Sequence, residues 1–191
     1  MKYDYKNQLI ALGRNGYQNL NFDDYVNNGV FDIQNKDYVK PKNGLWMSTY
    51  TPDKETPSDW VAWCASEQAD WVGSKYKMIE IKPEARVFIV DVYDDLVELI
   101  EKWGPAGRQK GLGLPINRHY PDFQKIRQDI DIINLTEQGQ YSTRMSYEGI
   151  KNYDLYGWDC ESSLMLNNVI KAHTSMVIPI DFELSDPWGE D

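Results

Sequence analysis

The chain has 191 residues, 41% of them hydrophobic and 26% charged, with 30 acidic against 20 basic side chains for a formal net charge of −10. That composition suits a folded protein with one real core and excludes wholesale disorder, while the negative balance opposes nonspecific attraction to nucleic-acid backbones and anionic membranes. No basic start leads into an apolar run, and no stretch reaches the roughly 18 apolar residues of a membrane span, so a cytoplasmic chain without membrane association is expected.

After a polar start, residues 9–12 begin a short strand that breaks at Gly13-Arg14-Asn15-Gly16 and leaves Arg14 at its end. Residues 21–26 read as one or two helical turns closed by Asn27-Asn28-Gly29. Residues 44–50 are rich in strand formers and bounded by turn residues, which predicts a second core strand. Thr56-Pro57-Ser58-Asp59 carries helix-start chemistry, a capping hydroxyl with Pro at N1 and an acid at N3, and puts Trp60, Trp63, Cys64 and Glu67 at helical spacing. Residues 76–81 alternate as a strand does and residues 86–91 follow after the Pro83 turn, so the two are expected to pair as a hairpin. Residues 94–103 set Leu96, Leu99, Ile100 and Trp103 on one face ahead of Gly104, an amphipathic helix with a C-terminal stop.

Residues 105–115 form a glycine-rich loop that lacks the phosphate-cradling P-loop pattern. Residues 121–127 predict a helix with Phe123 and Ile126 inward, and residues 130–135 a buried strand. Residues 136–151 are polar and read as loop; residues 175–182 supply a last strand whose Pro179 suits a sheet edge. About seven short strands among three or four helices predict a single α+β domain over residues 1–191. Its sheets are expected to be mixed and mostly antiparallel, two small ones around a cleft.

Between these last segments lies Tyr153-Asp154-Leu155-Tyr156-Gly157-Trp158-Asp159-Cys160-Glu161-Ser162-Ser163-Leu164-Met165-Leu166, a polar, aromatic loop running into a strand. In an extended chain Asp159, Glu161 and Ser163 share one face, and Cys160, Ser162 and Leu164 the other. Paired acids behind aromatic residues suit a cationic or sugar-like ligand, and they also suit the acid and base of a glycosidase. Each part has a plainer reading: Glu161 as a solvated strand entrance, Asp159 as a turn cap, Arg14 as a surface arginine, and residues 44–50 as core with Trp46 inward. His119 and His173 lack a Cys, His or acidic partner at ligand spacing, so no metal is expected. Cys64 and Cys160, the only cysteines, are too few for a disulfide framework and read as reduced thiols in the core, which disfavours a Cys160–His173 nucleophile pair.

Taken in order, Arg14 at the end of a first strand, Ser48-Thr49-Tyr50 on a second, and Asp159-Cys160-Glu161 opening a late one resemble the Arg, Ser-Thr-Ser and Glu-x-Glu arrangement of ADP-ribosyltransferases. Residues 153–158 are similar to the toxin-type loop that engages the acceptor through an aromatic residue. Tyr50 stands where that pattern has Ser, Asp159 where it has Glu or Gln, and Arg14 lies in a glycine-rich break. Gly44-Leu45-Trp46, Trp60-Val61-Ala62-Trp63-Cys64 and Gly157-Trp158-Asp159 are also similar to segments of small phage and bacterial proteins. The resemblance implies NAD as a substrate, no metal, and transfer of ADP-ribose to a protein or other macromolecular acceptor. For Glu161 it implies the carboxylate that faces the developing ribosyl cation, and for Asp159 the group that orients or deprotonates the acceptor. Arg14, Ser48, Thr49 and Tyr50 would bind the cofactor, and Tyr156 and Trp158 would stack or select the acceptor. An alternative of another kind is a non-catalytic, acidic phage or bacterial interaction protein that blocks a basic partner surface; a nucleotide- or sugar-hydrolysing enzyme using the same acids is the third.

Overall fold

Short runs of strand formers separated by turn residues become nine strands and four α-helices among the residues that the computed structural model describes, which are 3–11, 22, 26, 32–36, 40–108, 119–144, 153, 155 and 157–179. In chain order they are β1 (Gln8–Ala11), β2 (Leu45–Thr49), α1 (Asp59–Glu67), β3 (Lys75–Ile81), β4 (Val87–Val90), α2 (Tyr93–Trp103), β5 (Pro105–Arg108), β6 (His119–Pro121), α3 (Phe123–Ile126), β7 (Ile132–Leu135), α4 (Glu137–Thr143), β8 (Ser162–Met165) and β9 (Ile170–Val177). Seven strands make one sheet in the order β4-β7-β8-β2-β1-β3-β9, and β5 pairs with β6 as a separate ribbon. Among these strands β4 and β7 alone run parallel, and the other strand neighbours are antiparallel.

The α+β class is as expected, but the two small sheets around a cleft are replaced by this continuous sheet. The reason is β2, which pairs with β1 on one side and β8 on the other and so joins the two halves. Nor do residues 76–81 and 86–91 form a hairpin: both edges of β3 are occupied, by β1 and β9, while β4 pairs with β7 across the sheet. The closing strand runs earlier than expected, over Ile170–Val177, and lies at the sheet's end. Part of the glycine-rich loop is strand, Pro105–Arg108 pairing with His119–Pro121.

Alternation along β1 and β3 feeds two cores. Leu9 and Tyr76 join Val61, Cys64 and Val72, with Trp60 and Trp63 of α1 packed partly buried against them. Ile10, Ile79 and Ile81 join the larger core with Leu96, Leu99, Ile100 and Trp103 of α2 and with Phe123 and Ile126 of α3. Helix α1 is capped by Ser58, whose Oγ accepts from the Val61 N–H at 3.3 Å, so the start lies two residues beyond Thr56. At the start of α2 the Asp95 carboxylate accepts the Asp91 and Val92 N–H groups at 2.8 and 2.9 Å, and Gly104 ends the helix with φ 81°.

Residues 137–143, read from sequence as loop, form α4. Thr136 caps it by accepting the Gly139 N–H at 2.9 Å. Asp131 fixes the start of β7: it accepts Arg86 Nη2 at 2.8 Å, Arg86 Nε at 3.0 Å, the Arg86 N–H at 2.9 Å and Asn167 Nδ2 at 2.9 Å. Burial works against ionising Asp131, but these donors outweigh it and hold the carboxyl below its usual range.

Candidate carboxylate site at the entrance to the central strands

Pairing of β8 with β2 ends at Met47–Ser163, and β8 itself begins at Ser162. Glu161 is therefore just outside the ladder, where its side chain turns onto the end of β2. Oε2 accepts the Ser48 hydroxyl at 2.8 Å and the Thr49 backbone N–H at 2.9 Å. Oε1 accepts the Thr49 hydroxyl at 2.9 Å and Asn134 Nδ2 of β7 at 3.2 Å. Three adjacent strand ends thus converge on one carboxylate, and all four contacts are donors.

A further ring of contacts orients those donors. Ser48 Oγ accepts from the Trp60 N–H in the first turn of α1 at 3.4 Å. Thr49 Oγ1 accepts from Gln8 Nε2 at 3.2 Å, and Asn134 Nδ2 also donates to Ser163 Oγ at 3.0 Å. Gln8, Ser48, Asn134 and Ser163 are all buried, so the donors around Glu161 are shielded from solvent.

Burial pushes the Glu161 carboxyl above its usual range, against the Thr49 and Ser48 hydrogen bonds that favour the charged form, and the Asp59 charge adds to the rise. Lys54, paired with Asp59 at 3.1 Å, is within electrostatic reach of Glu161. Burial, followed by the Glu161 charge, raises the Cys160 thiol, which keeps it protonated and a poor nucleophile. With both oxygens already accepting two donors, Glu161 is badly placed to attack as a nucleophile. It is well placed to stabilise a nearby positive charge through space.

The structure brings Ser48, Thr49 and Glu161 together; Arg14 and Tyr156 lie outside the described residues. Asp159 shares no partner with Glu161 among the described residues. Its carboxylate lies 3.6 Å from Arg144 Nη2 and 4.0 Å from Lys40 Nζ. Tyr50 is half-buried against the α1 core, and its N–H donates to the Asn7 carbonyl at 2.7 Å. Trp158 corrects the expectation of a stacking residue on a loop surface. Its side chain is 1% exposed and meets Trp46 edge to face at 4.7 Å, because a large aromatic beside an apolar strand contributes most by burial.

Asn134 and Gln8 are the site residues that the sequence reading missed. An amide inside the apolar run 130–135 was the available signal for Asn134, since a buried amide must find partners. Among the described residues no three His, Cys, Asp or Glu side chains cluster as a metal site, and no helix is long and apolar enough to cross a membrane. Comparison with family models, curated proteins and solved structures finds no match for this chain.

Proposed function

We propose that the chain is an ADP-ribosyltransferase-like protein that binds NAD and transfers ADP-ribose to a macromolecular acceptor, with Glu161 as the carboxylate facing the ribosyl carbon. The observation that carries this reading is the contact of the Ser48-Thr49 pair with Glu161, at 2.8 and 2.9 Å, across 113 and 112 positions of sequence. Breaking the bond between nicotinamide and ribose develops oxocarbenium character. A fixed carboxylate whose donors hold it still answers that need without reorganising. Incubation with NAD, alone and with cell extract, should release nicotinamide, and Glu161→Gln should lower the rate by about 100-fold. Absence of both NAD binding and turnover in the wild-type protein sinks the reading.

The same carboxylate favours a second reading, because four donors are also what a buried strut between β2, β7 and β8 requires. In that case the chain is a non-catalytic acidic interaction protein. One stoichiometric partner would then be captured equally well by wild type and Glu161→Gln, with no nicotinamide released by either.

A further inference from the structure

In a chain of net charge −10, two cations meet beside the candidate carboxylate. Gln140 of helix α4 and Arg144, the residue that caps its C-terminus, both meet the segment that leads into Glu161. Gln140 Nε2 donates to the Asp159 carbonyl at 3.4 Å, and Arg144 Nη2 lies 3.6 Å from the Asp159 carboxylate. Lys40 lies 4.0 Å from the other oxygen of the same carboxylate, with its ammonium 5.4 Å from the centroid of the Trp46 ring. Trp46 in turn meets buried Trp158 edge to face, so the ring beside Lys40 is backed by the core.

Among the described residues two cations converge on one acid, Asp159, with Glu161 the next carboxylate along the chain, whereas Lys54 and Asp59 pair one to one. Both cations keep access to solvent, Lys40 at 49% and Arg144 at 44% side-chain exposure, so an incoming anion can reach them.

We propose that Lys40 and Arg144, gathered on Asp159, form an anion subsite that takes the diphosphate of a nucleotide whose ribosyl carbon faces Glu161. The choice of ligand rests on the proposed role of Glu161. One residue, Cys160, separates Asp159 from Glu161, a span of at most roughly 7 Å along the chain, and a single ribose ring with its 5′-carbon separates an anomeric carbon from its 5′-phosphate. Arg144 supplies planar, paired donors for phosphate oxygens and Lys40 a mobile point charge. Asp159 then positions both cations, in place of the acceptor-activating role that the family resemblance implied for it.

The test uses ADP as the probe, since it carries the diphosphate but has no bond to cleave. Calorimetric titration of the full chain should show ADP binding that weakens as salt rises. Lys40→Gln and Arg144→Gln should each weaken it by about fivefold, and the double variant by about twentyfold or more, while Lys171→Gln, an exposed cation on the end strand β9, leaves it unchanged. Both substitutions are at exposed side chains, and thermal melts of each variant confirm that the fold is kept. Failure of the wild type to bind ADP, or equal binding by the double variant, overturns the subsite. ADP binding through these two cations without nicotinamide release supports the subsite and sinks the transferase reading. Nicotinamide release without any effect of the double variant on ADP binding does the reverse.

Discussion

Among the described residues the hydrogen-bond partners of Glu161 are Ser48, Thr49 and Asn134, none of them a cation, and burial gives its titration a definite sign. Its carboxyl is raised above the ordinary 4.5 by burial, so the folded protein holds the proton more tightly than the unfolded chain does. Stability therefore falls as pH rises from about 4.5 to the folded-state value and is level above it. Urea denaturation in steps across that window should show the slope in wild type and its loss in Glu161→Gln; an identical slope in both would contradict the assignment. The variant should also lose about 1–3 kcal/mol near neutral pH, because its amide turns donors toward donors. At this scale the pairing of Ser48 and Thr49 with Glu161 was legible only through the family resemblance, which puts a Ser-Thr strand and a late Glu at one site. Trp158 was not, because an aromatic residue in a polar loop looks the same in sequence whether it faces solvent or core. Asn134 was hidden inside an apolar run whose pattern described only the strand.

Helix α4 shows how close packing places Arg144. A Cβ at Gly139 would stand 2.0 Å from the Val90 carbonyl oxygen, 2.9 Å from its carbon and 3.0 Å from Leu135 Cδ1. Gly139→Ala should therefore cost about 2 kcal/mol or more, read as a lower urea midpoint, and should weaken ADP binding by displacing Gln140 and Arg144. An unchanged midpoint would mean that α4 does not depend on this approach. The helix escaped the sequence reading because Gly139, Ser142 and Thr143 are weak helix formers and its buried positions, Gly139, Gln140 and Thr143, show no apolar stripe. By contrast α2 was legible from Leu96, Leu99, Ile100 and Trp103, where periodicity and burial coincide. Strand positions were legible in the same way; their partners were not, because β3 and β4 are neighbours in sequence but find different partners in the sheet.

Across the whole molecule the charge of −10 works against the compact state. Added sodium chloride should raise the melting temperature at neutral pH by screening that self-repulsion, and a scan from low salt to about 0.15 M checks it. A fall over the same range would show that specific ion pairs such as Arg86–Asp131 outweigh the general field. The central place of β2 has one more consequence, in the order of events during synthesis. Its partner β8 lies near the other end of the chain, and Ser48 meets Glu161 across 113 positions. A contact of that sequence separation closes late, after local helices and strands have collapsed, and contributes to slow folding. A growing chain shows Ser48 and Thr49 long before Glu161 exists to meet them. Whatever Glu161 does is withheld until β8 has left the ribosome and nearly the entire sheet is in place.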